Sequence, residues 1–304
     1  MFGAPRLLQK LRQRVLSIEF IQMFLPSADE PVLGLRDAHE SAKLGPYLRD
    51  LWSRRSYIWY VSTSELRSRQ VTNVLGNLWH LLNPALSIGV YFVVFGLLLD
   101  VGDRSSGNFF LFLTVGLFVF QFTQKATTDG AKSIINNLGL LKAIKFPRAM
   151  LPVTSTVTET IAFWPSFLVI YFVAALSEGF RWQWIVLPAI IMLQAVFNTG
   201  SAMIAARMTT HFRDTTQILP FFFRLLLYVS GVIFNVDSYA EGNDTIRLLF
   251  TLNPMYCFIT VARWTVMGTP VETQYVVSMF VWSAVILLVG FAWFRSGEER
   301  YARD

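Results

Sequence analysis

The sequence predicts an all-α integral membrane protein: six transmembrane helices, an amphipathic interfacial helix ahead of them, and re-entrant helices between spans 5 and 6. Three observations carry this. Hydrophobic residues make up 54% of the 304 and charged residues only 15%, against about 25% charged in an ordinary soluble domain. Long stretches such as 70–99 and 182–206 contain no Asp, Glu, Lys or Arg, and roughly 20 apolar residues suffice to cross a hydrocarbon core of about 30 Å. Lys and Arg are also unevenly divided between alternate connections.

Residues 1–45 are polar and basic, interrupted by Pro26 and Pro31. Leu7, Leu8, Leu11, Val15 and Ile18 have helical spacing, which fits either a membrane-surface helix or a loosely ordered tail with a short helix. Arg and Lys interrupt the Leu residues throughout, so no signal-peptide h-region is read. The transmembrane domain is placed at 46–304. Within 47–66, Tyr47, Leu48, Leu51, Trp52, Ile58, Trp59 and Leu66 are expected to share one face, away from Arg49, Asp50, Arg54 and Glu65. Such a helix suits the membrane interface.

Span 1 is read at 78–99, with Asn83-Pro84 near its start, and span 2 at 109–124, the charge-free limit before Lys125. An amphipathic elbow from Lys125 to Arg148 follows, closed by Phe146-Pro147-Arg148. Span 3 covers 149–176, interrupted only by Glu159, with Pro152 and Pro165 as expected kinks; span 4 covers 184–206. Span 5, 217–235, contains Arg224. Residues 248–262 are charge-free but too short to cross, and Asn253-Pro254 breaks them, so two re-entrant half-helices are expected there. Span 6 is 274–294.

Six spans put both termini on one side. That side would hold 21 of the 26 Lys and Arg, including five in the elbow; the other would hold Arg104, Arg181, Arg247 and Arg263, leaving Arg224 within a span. The positive-inside rule then places both termini and the elbow in the cytoplasm.

Several chemistries are excluded or unsupported. Gly130-Ala-Lys-Ser133 lacks the Gly-Lys pair and the upstream strand of a phosphate-binding loop. His39, His80 and His211 are scattered, so no metal site is expected, and Cys257 is the lone cysteine. No catalytic residue is assigned. A membrane-embedded transferase would need clustered acids or histidines at one face; Asp237, Glu241 and Asp244 are the outer candidates and read better as a solvated loop. An ion-coupled transporter would show inverted repeats and several intramembrane charges.

Two charges do stand inside the spans. Glu159 and Arg224 each lie about 14–15 Å along their helices from the same side. Unpaired, each would cost about 2.5–3.5 kcal/mol on insertion scales. An ion pair between spans 3 and 5 is therefore expected, the alternative being that Arg224 faces a wet pathway and meets a phosphate. Tyr91 and Phe92 in span 1, with Phe221 and Tyr228 in span 5, are candidates to line a channel for a sugar chain.

From about residue 47 onward the chain resembles the membrane subunits of ABC-2 type exporters, and more narrowly the polysaccharide-export permeases of O-antigen, teichoic acid and actinobacterial galactan systems. The resemblance rests on Leu75-Gly-Asn-Leu-Trp-His-Leu-Leu-Asn-Pro84, Val94-Phe-Gly96, Asn136 through Arg148 with Leu151-Pro152, Phe212-Arg-Asp214 with Gln217 through Phe221, and Leu252-Asn-Pro254. Arg224 departs from it, standing where many relatives have an uncharged residue.

The resemblance implies a homodimer of twelve spans on two copies of a cytoplasmic ABC ATPase. ATP and Mg would be bound by that partner, with no cofactor in this chain. Leu140, Leu141, Lys142, Lys145, Phe146, Pro147 and Arg148 would couple to the ATPase, and Tyr47, Leu51, Trp52 and Trp59 would belong to an interfacial gate helix. Asn253 and Pro254 would sit in the re-entrant region. The cargo implied is a lipid-linked polysaccharide leaving the cytoplasm across a bacterial inner membrane. Membrane lipids are the other expected partner; nucleic acid is not. An ABC-2 exporter of drugs or other lipids would share the same fold.

Overall fold

A computed structural model describes residues 44–70, 78–98, 108–143, 146–177, 179–236 and 244–298, and all regular elements among them are helical. In chain order these are α1 (Leu44–Ser53), α2 (Arg55–Gln70), α3 (Leu78–Tyr91) running into a π-helical segment Phe92–Leu98, and α4 (Phe109–Lys132). A 3-10 turn, Ile135–Asn137, leads to α5 (Leu138–Ala143) and α6 (Met150–Ser177). Another, Trp182–Val186, leads to α7 (Leu187–His211), followed by α8 (Thr215–Val229), α9 (Asp244–Thr251), α10 (Pro254–Met267) and α11 (Thr273–Ser296). The tail up to residue 43, the loop around 100–107 and Lys145 lie outside the described residues.

Four helices among the described residues, α4, α6, α7 with its leading turn, and α11, are long and apolar enough to cross a membrane; Ala85–Leu98 and α8 are apolar but shorter. The expected span 2 was cut short at residue 124. The helix continues to Lys132, because Lys125, Asp129 and Lys132 fall on turns that still propagate the backbone ladder. A charge ends a hydropathic run without ending a helix.

α4 is the centre of the bundle. It packs against α7, α6, α10, α8 and α3, and Leu111, Leu113, Val115, Leu117 and Phe118 are essentially inaccessible. Its start is fixed by Asn108, whose side chain accepts the Leu111 N–H at 3.2 Å. In hydrocarbon the helices gain little from excluding water, so close packing and interhelical hydrogen bonds hold them. Both are visible on α7. Gln194 Nε2 donates to Val119 O and to Thr123 Oγ1, each at 2.8 Å, and Thr123 Oγ1 donates to Asn198 Oδ1 at 2.7 Å. On the other side of α7, Gly200 lets the backbones of α7 and α11 touch: a Cβ there would strike Ile286 O, and one on Gly290 would strike Gly200.

After α8 the chain turns at Gly231 (φ 61°). α9 and α10 meet at the expected break. Asn253 caps α10 by accepting from Met255 N–H at 3.0 Å and Tyr256 N–H at 3.4 Å, with Pro254 opening the helix. α10 is buried nearly all round. Arg263, one of the four charges counted on the outer side, is 5% exposed and lies in the core.

Candidate functional site

The elbow end of the bundle gathers most of the residues singled out from the sequence. α1 and α2 do not present one apolar face. The chain turns at Arg54, and the set divides: Tyr47, Ile58 and Leu66 are buried, whereas Leu48, Trp52 and Trp59 are exposed, with Leu51 between. α2 runs lengthwise along α6 in the same direction. Tyr57 and Ile58 pack on Met150, Ser62 Oγ donates to Thr154 O at 3.2 Å, and Arg69 reaches Glu159.

That last contact corrects the expected Glu159–Arg224 pair. Arg69 Nη1 donates to Glu159 Oε1 at 2.7 Å, while its Nη2 bonds Glu65 at 2.8 Å and Asp129 at 3.1 Å. One guanidinium thus ties α2 to α6 and α4. Glu159 is 5% exposed and Asp129 lies beside it as a neighbouring charge, so Arg69 bridges two carboxylates that would otherwise repel. Equal depth along the chain was the wrong criterion: α6 turns Glu159 toward α2, and α8 turns Arg224 outward. The usable signal was Glu65 and Arg69 at i,i+4 on the last turns before the charge-free run. Beneath this network lies a polar cleft of about 630 Å³ between α2, the elbow and α6, lined among others by Tyr60, Ser64, Lys132, Asn136 and Leu140.

The elbow itself is anchored from inside. Leu141 and Pro147 are buried, Leu140, Phe146 and Arg148 are partly buried, and Lys142 is exposed. Phe146 packs against both small hydrophobic clusters at this end. A joint forms where the elbow enters α6. Tyr47 Oη donates to Glu298 Oε1 at 3.1 Å, and Arg148 N–H donates to the same oxygen at 2.8 Å. Ala149 N–H donates to Tyr47 Oη at 3.3 Å. The joint therefore satisfies N–H groups at the start of α6 that have no partner within the helix. Burial pushes the Glu298 carboxyl above its usual range, against those two bonds and the nearby Arg148 and Arg295 charges. Burial and then Glu298 push the Tyr47 phenol well up. Tyr47 and Glu298 are 251 residues apart, and no local signal marked Glu298.

The channel candidates lie elsewhere. Phe92 packs on Phe109 and Phe110. Tyr91 lies within electrostatic reach of Arg224 and Tyr228, so α3 and α8 are neighbours at this level. Phe221, Arg224 and Tyr228 are exposed.

Arg263 was missed as a functional residue. Its guanidinium donates to Gly231 O and Val232 O, each at 2.8 Å, and to Phe112 O at 3.2 and 3.3 Å. It lies 3.3 Å from the Phe112 ring centroid. It therefore fixes the turn after α8 onto the first turn of α4. The signal was a helix apolar on every side except for one Arg, which marks burial rather than a surface.

Residues 57–267, more than two thirds of the chain, match the family model described as ABC-2 type transporter. The chain belongs to that family. Two proteins of Klebsiella pneumoniae named O-antigen export system permease protein RfbA are each 26% identical to it over 245 residues, 80% of this chain and 92% of theirs. A protein of the same name from Myxococcus xanthus is 26% identical over 214 residues, 70% of this chain and 81% of its own. The family match takes in Arg69, Asp129, Glu159, Arg224 and Arg263 and leaves out both side chains of the Tyr47–Glu298 joint.

Proposed function

We propose that this chain is the membrane permease subunit of an ATP-driven exporter that moves a lipid-linked polysaccharide, of the O-antigen, teichoic acid or galactan type, out of the cytoplasm. The observation that carries this is the family membership together with the near-full-length likeness to O-antigen export permeases. The working unit is a homodimer with six spans per copy. α3 and α8 serve as spans 1 and 5 and face the path, α9 and α10 form the re-entrant pair, and both termini are cytoplasmic. No phosphate-binding loop occurs in the sequence, so ATP and Mg belong to two copies of a separate ABC ATPase.

The elbow geometry supports the coupling role. Leu141, Phe146 and Pro147 hold it from within, while Lys142 points outward for a soluble partner. A push on the elbow would reach α1 through the Tyr47–Glu298 joint and α2 through the Arg69 network.

The test is co-purification of the tagged chain with the ATPase encoded beside it, repeated with Phe146→Ala and Arg148→Glu. Binding by the parent and loss in correctly folded variants is the expected result. A parent that purifies as a stable homodimer without any ATPase overturns the exporter reading.

A further inference from the structure

Arg224 is a cation in the wrong place for a helix that only faces lipid. It stands nine residues into α8, about 14 Å of helix rise from the start. Its neighbours Ile218, Phe221, Phe222, Leu225 and Val229 are exposed apolar side chains, and its guanidinium carbon sits 5.4 Å from the Phe221 ring centroid. No carboxylate pairs with it among the described residues. A charge left unpaired in hydrocarbon costs about 2.5–3.5 kcal/mol on insertion scales.

A second copy packed on this face does not cure the deficit. Among the described residues of the long apolar helices, the mid-helix carboxylate is Glu159, which is buried and bonded to Arg69. Among the described residues, then, none offers the compensating anion, which points to a bound group. The surroundings say which kind. Tyr91 on α3 is within electrostatic reach of Arg224 and Tyr228, and Tyr228 stands one helical turn beyond Arg224 on α8, so two phenols share the level of the five-donor planar fork of Arg. That donor set suits phosphate oxygens.

We infer that Arg224, with Tyr91 and Tyr228, forms a phosphate site midway along the transport path, which takes the phosphate or diphosphate of a lipid-linked substrate as it passes. This rests on the exporter reading above. The headgroup of a resident phospholipid has the same chemistry but stays at the interface, whereas the phosphate of a translocating lipid must cross this level. Phe221 on one side of the guanidinium would leave its other edge open to the anion.

The test uses the full chain in phosphatidylcholine nanodiscs, with geranylgeranyl diphosphate and geranylgeraniol as probes and native mass spectrometry as readout. The parent should bind the diphosphate at least about tenfold more tightly than the alcohol. Arg224→Gln should abolish that preference, Arg224→Lys should keep part of it, and Tyr228→Phe should weaken it severalfold. Inorganic pyrophosphate should compete, and phosphatidylglycerol in the disc should not. Equal preference in the parent and Arg224→Gln overturns the site, and so does displacement by phosphatidylglycerol, which would mark a headgroup site. Variants count when Cys257 stays protected from thiol reagents, as expected for a folded chain in which it is fully buried. ATPase co-purification is scored separately, so loss of ATPase binding sinks the exporter reading while the diphosphate preference judges the site.

Discussion

Replacing Arg263 with Met should destabilise the protein even though it removes a buried charge. The guanidinium satisfies Gly231 O and Val232 O in a turn, where no helical ladder can replace it. Each orphaned carbonyl costs about 1–3 kcal/mol, so the pair sets a loss of about 2–6 kcal/mol. Relief of desolvation returns part of this, leaving an expected net loss of about 2 kcal/mol or more. Gly116 supplies a second handle. A Cβ there would lie 2.6 Å from Arg263 Nη2 and 3.2 Å from Val232 O, so Gly116→Ala should cost about 1–3 kcal/mol by overpacking. In the Arg263→Met background the closer clash is gone and Gly116→Ala should cost clearly less. The pair should thus show a coupling of about 0.5–3 kcal/mol in a double-mutant cycle. Cys257, the lone cysteine and fully buried, serves as the reporter: a thiol-reactive fluorophore followed on heating reads its exposure. An unchanged midpoint for Arg263→Met, as for a surface anchor, together with additivity within about 0.5 kcal/mol, would refute the reasoning.

Arg69→Ala should lower stability by about 1–3 kcal/mol, because Glu159 stays buried beside Asp129 without its guanidinium. Adding Glu159→Gln should recover much of the loss, and a double variant no better than Arg69→Ala in the same thiol assay would exclude this account. Gly200→Ala should separate α7 from α11, since its Cβ meets Ile286 backbone rather than a movable side chain. Thermal melts should place it well below an Ala substitution at Gly89, where nothing lies within 4 Å. Glu298 carries a pH signature. Its carboxyl is raised in the folded state by burial, so its contribution is fully present below the unfolded carboxylate range. That contribution is lost as pH rises through the folded value. Melts of the parent against Glu298→Gln should diverge with rising pH, the parent losing ground; parallel curves would mean that the side chain is solvated.

How much of this was legible follows from the range of the forces involved. Hydropathy is a local property, so the apolar runs marked α4, α6, α7 and α11 within a few residues at most ends. Capping is local too, and Asn253-Pro254 marked the start of α10. α4 was misjudged at its end because partition between lipid and water stops at Lys125, while the backbone ladder, indifferent to side-chain charge, runs on to Lys132. The elbow was recognisable from its amphipathic pattern, but not which of its faces is held inside.

By itself, then, the sequence determined the all-helical membrane character, the order of the helices and the family, since each is written in runs and motifs of neighbouring residues. Only the tertiary structure decided the charge partners. Arg69 meets Glu159 across 90 positions and Arg263 meets Phe112 O across 151. Helix rotation, set by the packing of every neighbour at once, determines where such side chains point. A buried charge takes whichever partner that rotation brings within about 3 Å, and depth along the chain does not encode it.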